Sequence, residues 1–200
     1  MAPMDKVFLD LGSAPLSNAY LTEATILEPE KWYPLKVLVC EQCWLVQTKD
    51  FVDVGEIFSK DYAYFSSYST SWLEHAKTYV DKMVTRFNLN DNSTVVEIAA
   101  NDGYLLQYVK EKNIPCYGIE PTHSTALAAR NKGIEIIEEF FSDRKATELV
   151  EQERQADLII VNNVLAHVPD INDFVKGIAK LLKPTGIVTF EFPYLINMVQ

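Results

Sequence analysis

Glu97, Asp102, Gly103 and Glu120 are the residues of this 200-residue chain whose types and spacing could do chemistry together. Val95 to Ala99 reads as a short buried strand, Ala100-Asn101-Asp102-Gly103 as a tight turn, and Tyr104 to Lys112 as the helix that leaves it. Strand, small-residue turn and helix start form the layout of a nucleotide-type cofactor site. Small side chains let the backbone approach a ligand, and Gly103 has the conformational freedom to make the turn. Glu120 ends the next strand, beside Pro121, about 20 residues after the turn, where a carboxylate can accept hydrogen bonds from ribose hydroxyls.

The turn is A-N-D-G rather than G-x-G-x-x-G, so a dinucleotide's pyrophosphate lacks the glycines it needs. Carboxylates beside the turn would repel phosphate but suit a ribose cofactor with ammonium and sulfonium charges, S-adenosyl-L-methionine. Glu97 could instead satisfy a buried partner, and Asp102-Gly103 is also an ordinary turn pair. Phe141 and Ser142, read as the end of a third strand, offer a ring and a hydroxyl to an adenine, although core packing explains a phenylalanine there equally well. Asn162 and Asn163 follow the fourth strand, where ligands of open α/β sheets sit. His167 could orient a substrate or move a proton near neutral pH, or be structural; His75 and His123 have weaker cases.

Two further groups lie upstream. Tyr62, Tyr64, Ser66 and Ser67 belong to an aromatic and hydroxyl-rich stretch, residues 61–75, suited to a polyhydroxylated ligand. The same stretch also reads as the start of a helix capped by Ser69, Thr70 or Ser71. Cys40 and Cys43 form a C-x-x-C between two apparent strands, the knuckle of a zinc ribbon. Zinc needs four ligands and the chain offers one pair, so packed thiols in a hairpin turn are the competing reading.

These residues need elements to position them. Residues 1–60 read as a small β-rich region: a strand at Val7 to Gly12, another at Trp32 to Val39 with Pro34 arguing for an edge, and a third at Trp44 to Thr48. Residues 61–200 read as a doubly wound, mostly parallel α/β sheet. Its strands are expected at residues 95–99, Cys116 to Pro121, Ile134 to Phe141, Ala156 to Asn162 and Ile187 to Phe192. Helices are expected from Trp72 to near Phe87, from Thr122 to Arg130, from Ala146 to Gln152 and from Asp173 to Leu182, the last closed by Lys183 to Gly186.

Composition sets bounds. A hydrophobic content of 48% suffices for a core, and no stretch is long and apolar enough to span a bilayer. A net charge of -10 disfavours nucleic acid or anionic membrane as a partner. Three cysteines are too few for a disulfide framework, and no apolar leader opens the chain, so a reducing cytoplasm is expected.

Several motifs, in order, resemble one family: LDLGSAPLSNAYL (9–21), the C-x-x-C, YAYFSSYSTSWLEHA (62–76), VVEIAANDGYLL (95–106), YGIEP (117–121), NNVLAHVPDINDF (162–174) and IVTFEFPYL (187–195). The family is the deoxysugar C-methyltransferases, which join a zinc-binding region to a class I, Rossmann-like methyltransferase domain. The resemblance implies S-adenosyl-L-methionine held by Glu97, Ala99, Asn101, Gly103, Glu120, Pro121 and Asn163. It implies substrate or cofactor contact by Tyr62, Tyr64, Ser66 and Ser67, and a substrate-facing His167. The implied substrate is a small molecule, a nucleotide-linked keto sugar. Against that family the chain reads as shortened at both ends. It lacks a first cysteine pair, a Y-H-E-H-type base segment and the last strands, leaving the fifth strand as an edge able to pair with a second copy. A non-catalytic binding module and an NAD-dependent oxidoreductase are the alternatives.

Overall fold

The computed structural model describes residues 4–49, 51–52, 54–58 and 63–199, in two compact units, Met1–Ala63 and Tyr64–Gln200. The first unit is a three-stranded antiparallel sheet in the order β1 (Lys6–Ala14), β2 (Tyr33–Val39), β3 (Val46–Thr48), followed by the short helix α1 (Val54–Ile57). Pro34 therefore lies on the central strand, not an edge. It is tolerated because β3 reaches only Val37, Leu38 and Val39, so opposite Ser13 the proline has a neighbour on one side only. The C-x-x-C is the β2–β3 connection: Trp44 donates to the Cys40 carbonyl and Cys40 to the Leu45 carbonyl, each at 2.9 Å. Trp44 and Leu45 belong to that turn, Trp44 at φ 61°, which shortens the expected third strand.

The second unit is an α/β fold with a parallel five-stranded sheet. Its strands are β4 (Val95–Ile98), β5 (Cys116–Ile119), β6 (Glu135–Ile137), β7 (Ala156–Asn162) and β8 (Leu182–Glu191), in the order β6-β5-β4-β7-β8. The chain winds outward from β4 to β6, then returns to lay β7 on the other side of β4. That reversal puts the switch point, and the ligand crevice of such sheets, beyond the carboxyl ends of β4 and β7. Helix α2 (Thr70–Phe87) precedes the sheet; α3 (Leu106–Glu111), α4 (His123–Asn131), α5 (Asp143–Glu151) and α6 (Ile171–Leu181) connect its strands, and α7 (Leu195–Val199) follows β8.

Side-chain alternation explains the two layers. Val95 faces a core with Ala76 and Val80 of α2, Leu106 and Val109 of α3, and Ala126 and Ala129 of α4. Val96 and Ile98 face the other core, with Ala146 and Leu149 of α5 and Phe174, Ile178 and Leu181 of α6. Ser69 caps α2, as one of the three residues expected to do so, by accepting from the Trp72 amide. Asp170 caps α6 through the amides of Asn172 and Asp173, so that helix begins at Ile171 and ends at Leu181.

Other boundaries differ from expectation for local reasons. β6 stops at Ile137, because β5 ends at Ile119 and leaves only three rungs to pair. Phe141 and Ser142 thus lie beyond that strand, not at its end: Ser142 caps α5, accepting from the Lys145 amide, and starts that helix three residues early. Lys183 to Gly186 do not separate helix from strand. They form a bulge within β8, between the Ala156–Leu182 and Leu158–Ile187 pairs. Residues 101–105 are turns, so α3 starts at Leu106.

Candidate functional site

The turn after β4 is built from left-handed backbone. Ala99, Asn101 and Gly103 have φ of 58°, 49° and 73°. Only Gly103 does so freely; for Ala99 this conformation costs about 1–2 kcal/mol, and an asparagine tolerates it by local hydrogen bonding. Gly103 is also required sterically, since a Cβ there would stand 2.4 Å from Ile134 Cδ1 and 3.2 Å from Ala129 Cβ. A second such approach lies at Gly118 of β5, where a Cβ would meet Ala100 Cβ at 2.5 Å.

Three carboxylates surround this turn, all buried. Glu120 is bound by both oxygens: Asn101 donates its amide to Oε2 at 3.0 Å and Thr122 its amide to Oε1 at 2.9 Å. Burial nonetheless holds the Glu120 carboxyl above its usual range, with those amide bonds pulling the other way. Glu97 is 1% exposed, and neither of its carboxylate oxygens completes a hydrogen bond among the described residues. Burial drives its pKa well up; the Tyr104 phenol opposes that, and the negative charges of Asp102 and Glu120 add to it. Asp102 Oδ2 accepts the Ser67 amide at 3.2 Å and lies 3.6 Å from Lys132 Nζ, while its Oδ1 is buried without a partner.

The aromatic-serine segment clamps this turn. Asn101 Oδ1 accepts the Ser66 amide at 2.9 Å, and Asn101 Nδ2 donates to the Tyr64 carbonyl at 3.0 Å. Lys132 ties the clamp down, donating to Ser67 Oγ and to the Asp102 carbonyl, both at 2.7 Å. The Tyr64 ring is exposed, and Tyr62 lies outside the described residues. Sequence reasoning missed Lys132; its only signal was a lysine one residue before Gly133, at the end of α4.

The other candidates gather at the carboxyl ends of β7 and β8. Asn162 is the buried last residue of β7, and Asn163, at φ 52°, donates its amide to the Glu191 carbonyl at 2.7 Å. His167 closes a 3-10 turn, Leu165–His167, where partial desolvation of the ring lowers its pKa although the residue remains open to solvent. Pro121 follows Glu120 at the head of α4. Phe141 packs edge-on against Phe174 at 5.5 Å, a core contact, and Ser142 is engaged as a cap. The residues gathered about the β4 turn are therefore Glu97, Ala99, Asn101, Asp102, Gly103 and Glu120, with Tyr64, Ser66 and Ser67.

The end of the aromatic stretch 61–75, where His75 had only a weaker case by sequence, continues into α2 and meets residues of β8 and the β4 turn. Trp72 stacks on Tyr104 at 6.0 Å and on His75 at 5.0 Å. His75 Nε2 lies 2.8 Å from Glu191 Oε2, and Tyr79 bonds Thr189 across the β8 edge at 2.5 Å. Burial pushes the Tyr104 phenol well up, with Glu97 beside it, and burial pushes Tyr79 up to about 12.

In the first unit, Cys40 is buried and Cys43 exposed, both reduced. The amides of Cys43 and Gln42 point at the Cys40 sulfur and lower its pKa. Two thiolates supply half of a tetrahedral shell, and no cluster of three or more ligating side chains occurs among the described residues. The described residues supply one pair of thiols and do not by themselves complete a structural zinc site.

Both parts of the chain match known families. Residues 72–195 match a family described as "Methyltransferase domain", and residues 2–58 match one described as "Putative zinc binding domain". A C-methyltransferase of Streptomyces niveus, NovU, is 30% identical over 192 residues, covering 96% of this chain and 46% of that protein. The chain thus spans about half of that relative's length. Among solved structures, an S-adenosylmethionine-dependent methyltransferase of Clostridium acetobutylicum aligns with a TM-score of 0.49 at 17% identity, over 59% of this chain and 49% of that one. One from Archaeoglobus fulgidus aligns at 0.46 and 14%, over 58% and 51%.

Proposed function

The chain belongs to the methyltransferase-domain family, and from that premise we propose that it binds S-adenosyl-L-methionine at the turn after β4 and serves C-methylation of a nucleotide-linked keto-deoxysugar. The observation that carries this reading is the charge of the turn. Its Asn101 amide, which a phosphate would need, already bonds the Glu120 carboxylate, and two more carboxylates, Glu97 and Asp102, are buried with unpartnered oxygens. A site so lined repels an anion and favours a cation carrying ribose hydroxyls.

When bound, that cofactor supplies an electrophilic methyl group. This chain's residues do the rest. Glu120, fixed by two amides, accepts ribose hydroxyls on its remaining lone pairs. Asp102 and Glu97 line the ammonium side, Glu97 giving up on cation binding the proton that burial favours in the free protein, while Ala99, Asn101 and Gly103 keep the backbone low enough for contact. Asn162, Asn163 and Pro121 border the same crevice, with Phe141 and Ser142 behind it. His167, whose ring is held below its usual pKa by partial desolvation, orients the acceptor or moves a proton beside its carbonyl. Tyr64 borders the acceptor side, and Ser66 and Ser67 hold the turn.

The acidic chain with reduced thiols fits a cytoplasmic enzyme, and no helix among the described residues is long and apolar enough to cross a membrane. β8 is the outermost strand of the described sheet, and its edge is the surface proposed for pairing with a second copy. The reading is tested by competing S-adenosylhomocysteine against NAD for the chain. Saturable binding of the first and none of the second is expected; preference for NAD would replace the methyltransferase by an oxidoreductase.

A further inference from the structure

Part of the serine-rich segment is already engaged in holding the turn. The Ser66 and Ser67 amides and the Ser67 hydroxyl are engaged with Asn101, Asp102 and Lys132. A different polar pair stands open at the same end of the sheet. His75, on the second turn of α2, and Glu191, the last residue of β8, are joined at 2.8 Å with side chains 49% and 34% exposed.

Three observations set this pair apart from a surface ion pair of no consequence. Exposed pairs contribute little to stability, so the fold does not require it. Glu191 is anchored on the site side by its backbone, whose carbonyl takes the Asn163 amide at 2.7 Å. The imidazole is stacked on Trp72, which is stacked in turn on Tyr104, whose phenol lies beside the orphan Glu97 carboxylate. The pair is thus one aromatic ring removed from the turn, on the solvent side. Its mutual contact uses one atom of each partner. Among the described residues no hydrogen bond engages the second carboxylate oxygen, an acceptor, or Nδ1, an acceptor when the ring is neutral. The apolar faces of Phe192 and Tyr194, exposed at 54% and 60%, follow Glu191 directly in the chain.

We propose that His75 and Glu191 form the acceptor-binding contact of this domain, holding hydroxyl groups of a sugar while its apolar face rests on neighbouring rings. Carboxylate, imidazole and aromatic faces together are the means by which proteins hold a polyhydroxylated ring. This inference rests on the methyltransferase reading above, but it concerns different residues from those that hold the cofactor.

The test is calorimetry on the full chain and on its His75→Gln and Glu191→Gln variants, with two probes. The first is S-adenosylhomocysteine alone; the second is a thymidine-diphosphate-linked keto-deoxyglucose added to the chain already saturated with the first. Both variants are expected to bind the sugar at least tenfold more weakly while their affinity for S-adenosylhomocysteine stays within about twofold. A purely structural role would instead weaken both probes together, or neither, and overturns the proposal. So does a wild-type chain that binds the first probe but not the sugar. Absence of any heat from S-adenosylhomocysteine on the wild type removes the cofactor reading and this proposal together, whereas unchanged sugar affinity in both variants removes this proposal alone.

Discussion

Glu97 is the residue on which burial and charge conflict most. Its pKa is raised well above the ordinary 4.5, so folding favours the protonated form. The stabilising contribution of that proton is complete below pH 4.5 and is lost as the pH rises through the raised folded value. At neutral pH the wild type therefore bears the penalty of an unsatisfied buried group. Glu97→Gln is expected to stabilise the free protein at pH 7–8 by about 1–3 kcal/mol, with the gain vanishing toward pH 4.5. Thermal melts across pH read this directly. The same substitution should weaken S-adenosylhomocysteine, because the orphan oxygens are the proposed ammonium partners. Gly103→Ala is expected to act oppositely on stability, costing about 1–3 kcal/mol by overpacking against Ile134 and Ala129; denaturant titration measures it.

Elements transmit these local choices. Ser142 was a candidate adenine contact by sequence, yet it ends no strand and its hydroxyl caps α5. Ser142→Ala is expected to cost about 1 kcal/mol of stability and to leave S-adenosylhomocysteine affinity unchanged; a large loss of affinity would return Ser142 to the site. The strand–turn–helix order, the buried β4 and the full extent of β7 were legible because apolar runs and small-residue turns report local propensity. The short β6, the bulge at Lys183 to Gly186 and the central position of Pro34 were not. Each is decided by how far a partner strand reaches, and pairing length is a non-local property. The site divides the same way. Glu97, Asp102, Gly103 and Glu120 were readable from spacing along one βαβ unit. Lys132 reaches Asp102, and Glu191 reaches His75, only through folding, over sequence separations that no local motif reports, whereas Trp72 and His75 lie in the aromatic stretch that the sequence already marked.

At the scale of the molecule, two units carry different chemistry. The first presents a hairpin with one C-x-x-C. Treatment with a strong chelator is expected to leave its thermal transition unchanged; a fall of many degrees would show that a metal contributes to folding and that further ligands complete the shell. The second unit has the switch-point crevice, the acidic turn and the family match, and the functional account stands on it. That account reduces to a turn that attracts a cationic nucleoside through carboxylates where phosphate sites present free amides. Its most direct measurement is the affinity of S-adenosylhomocysteine for the wild type and for Glu120→Ala. Binding by the wild type, weakened about 10- to 100-fold on loss of the charged hydrogen-bond acceptor, is the predicted result. Equal affinity in the two proteins, or none in the wild type, would contradict it.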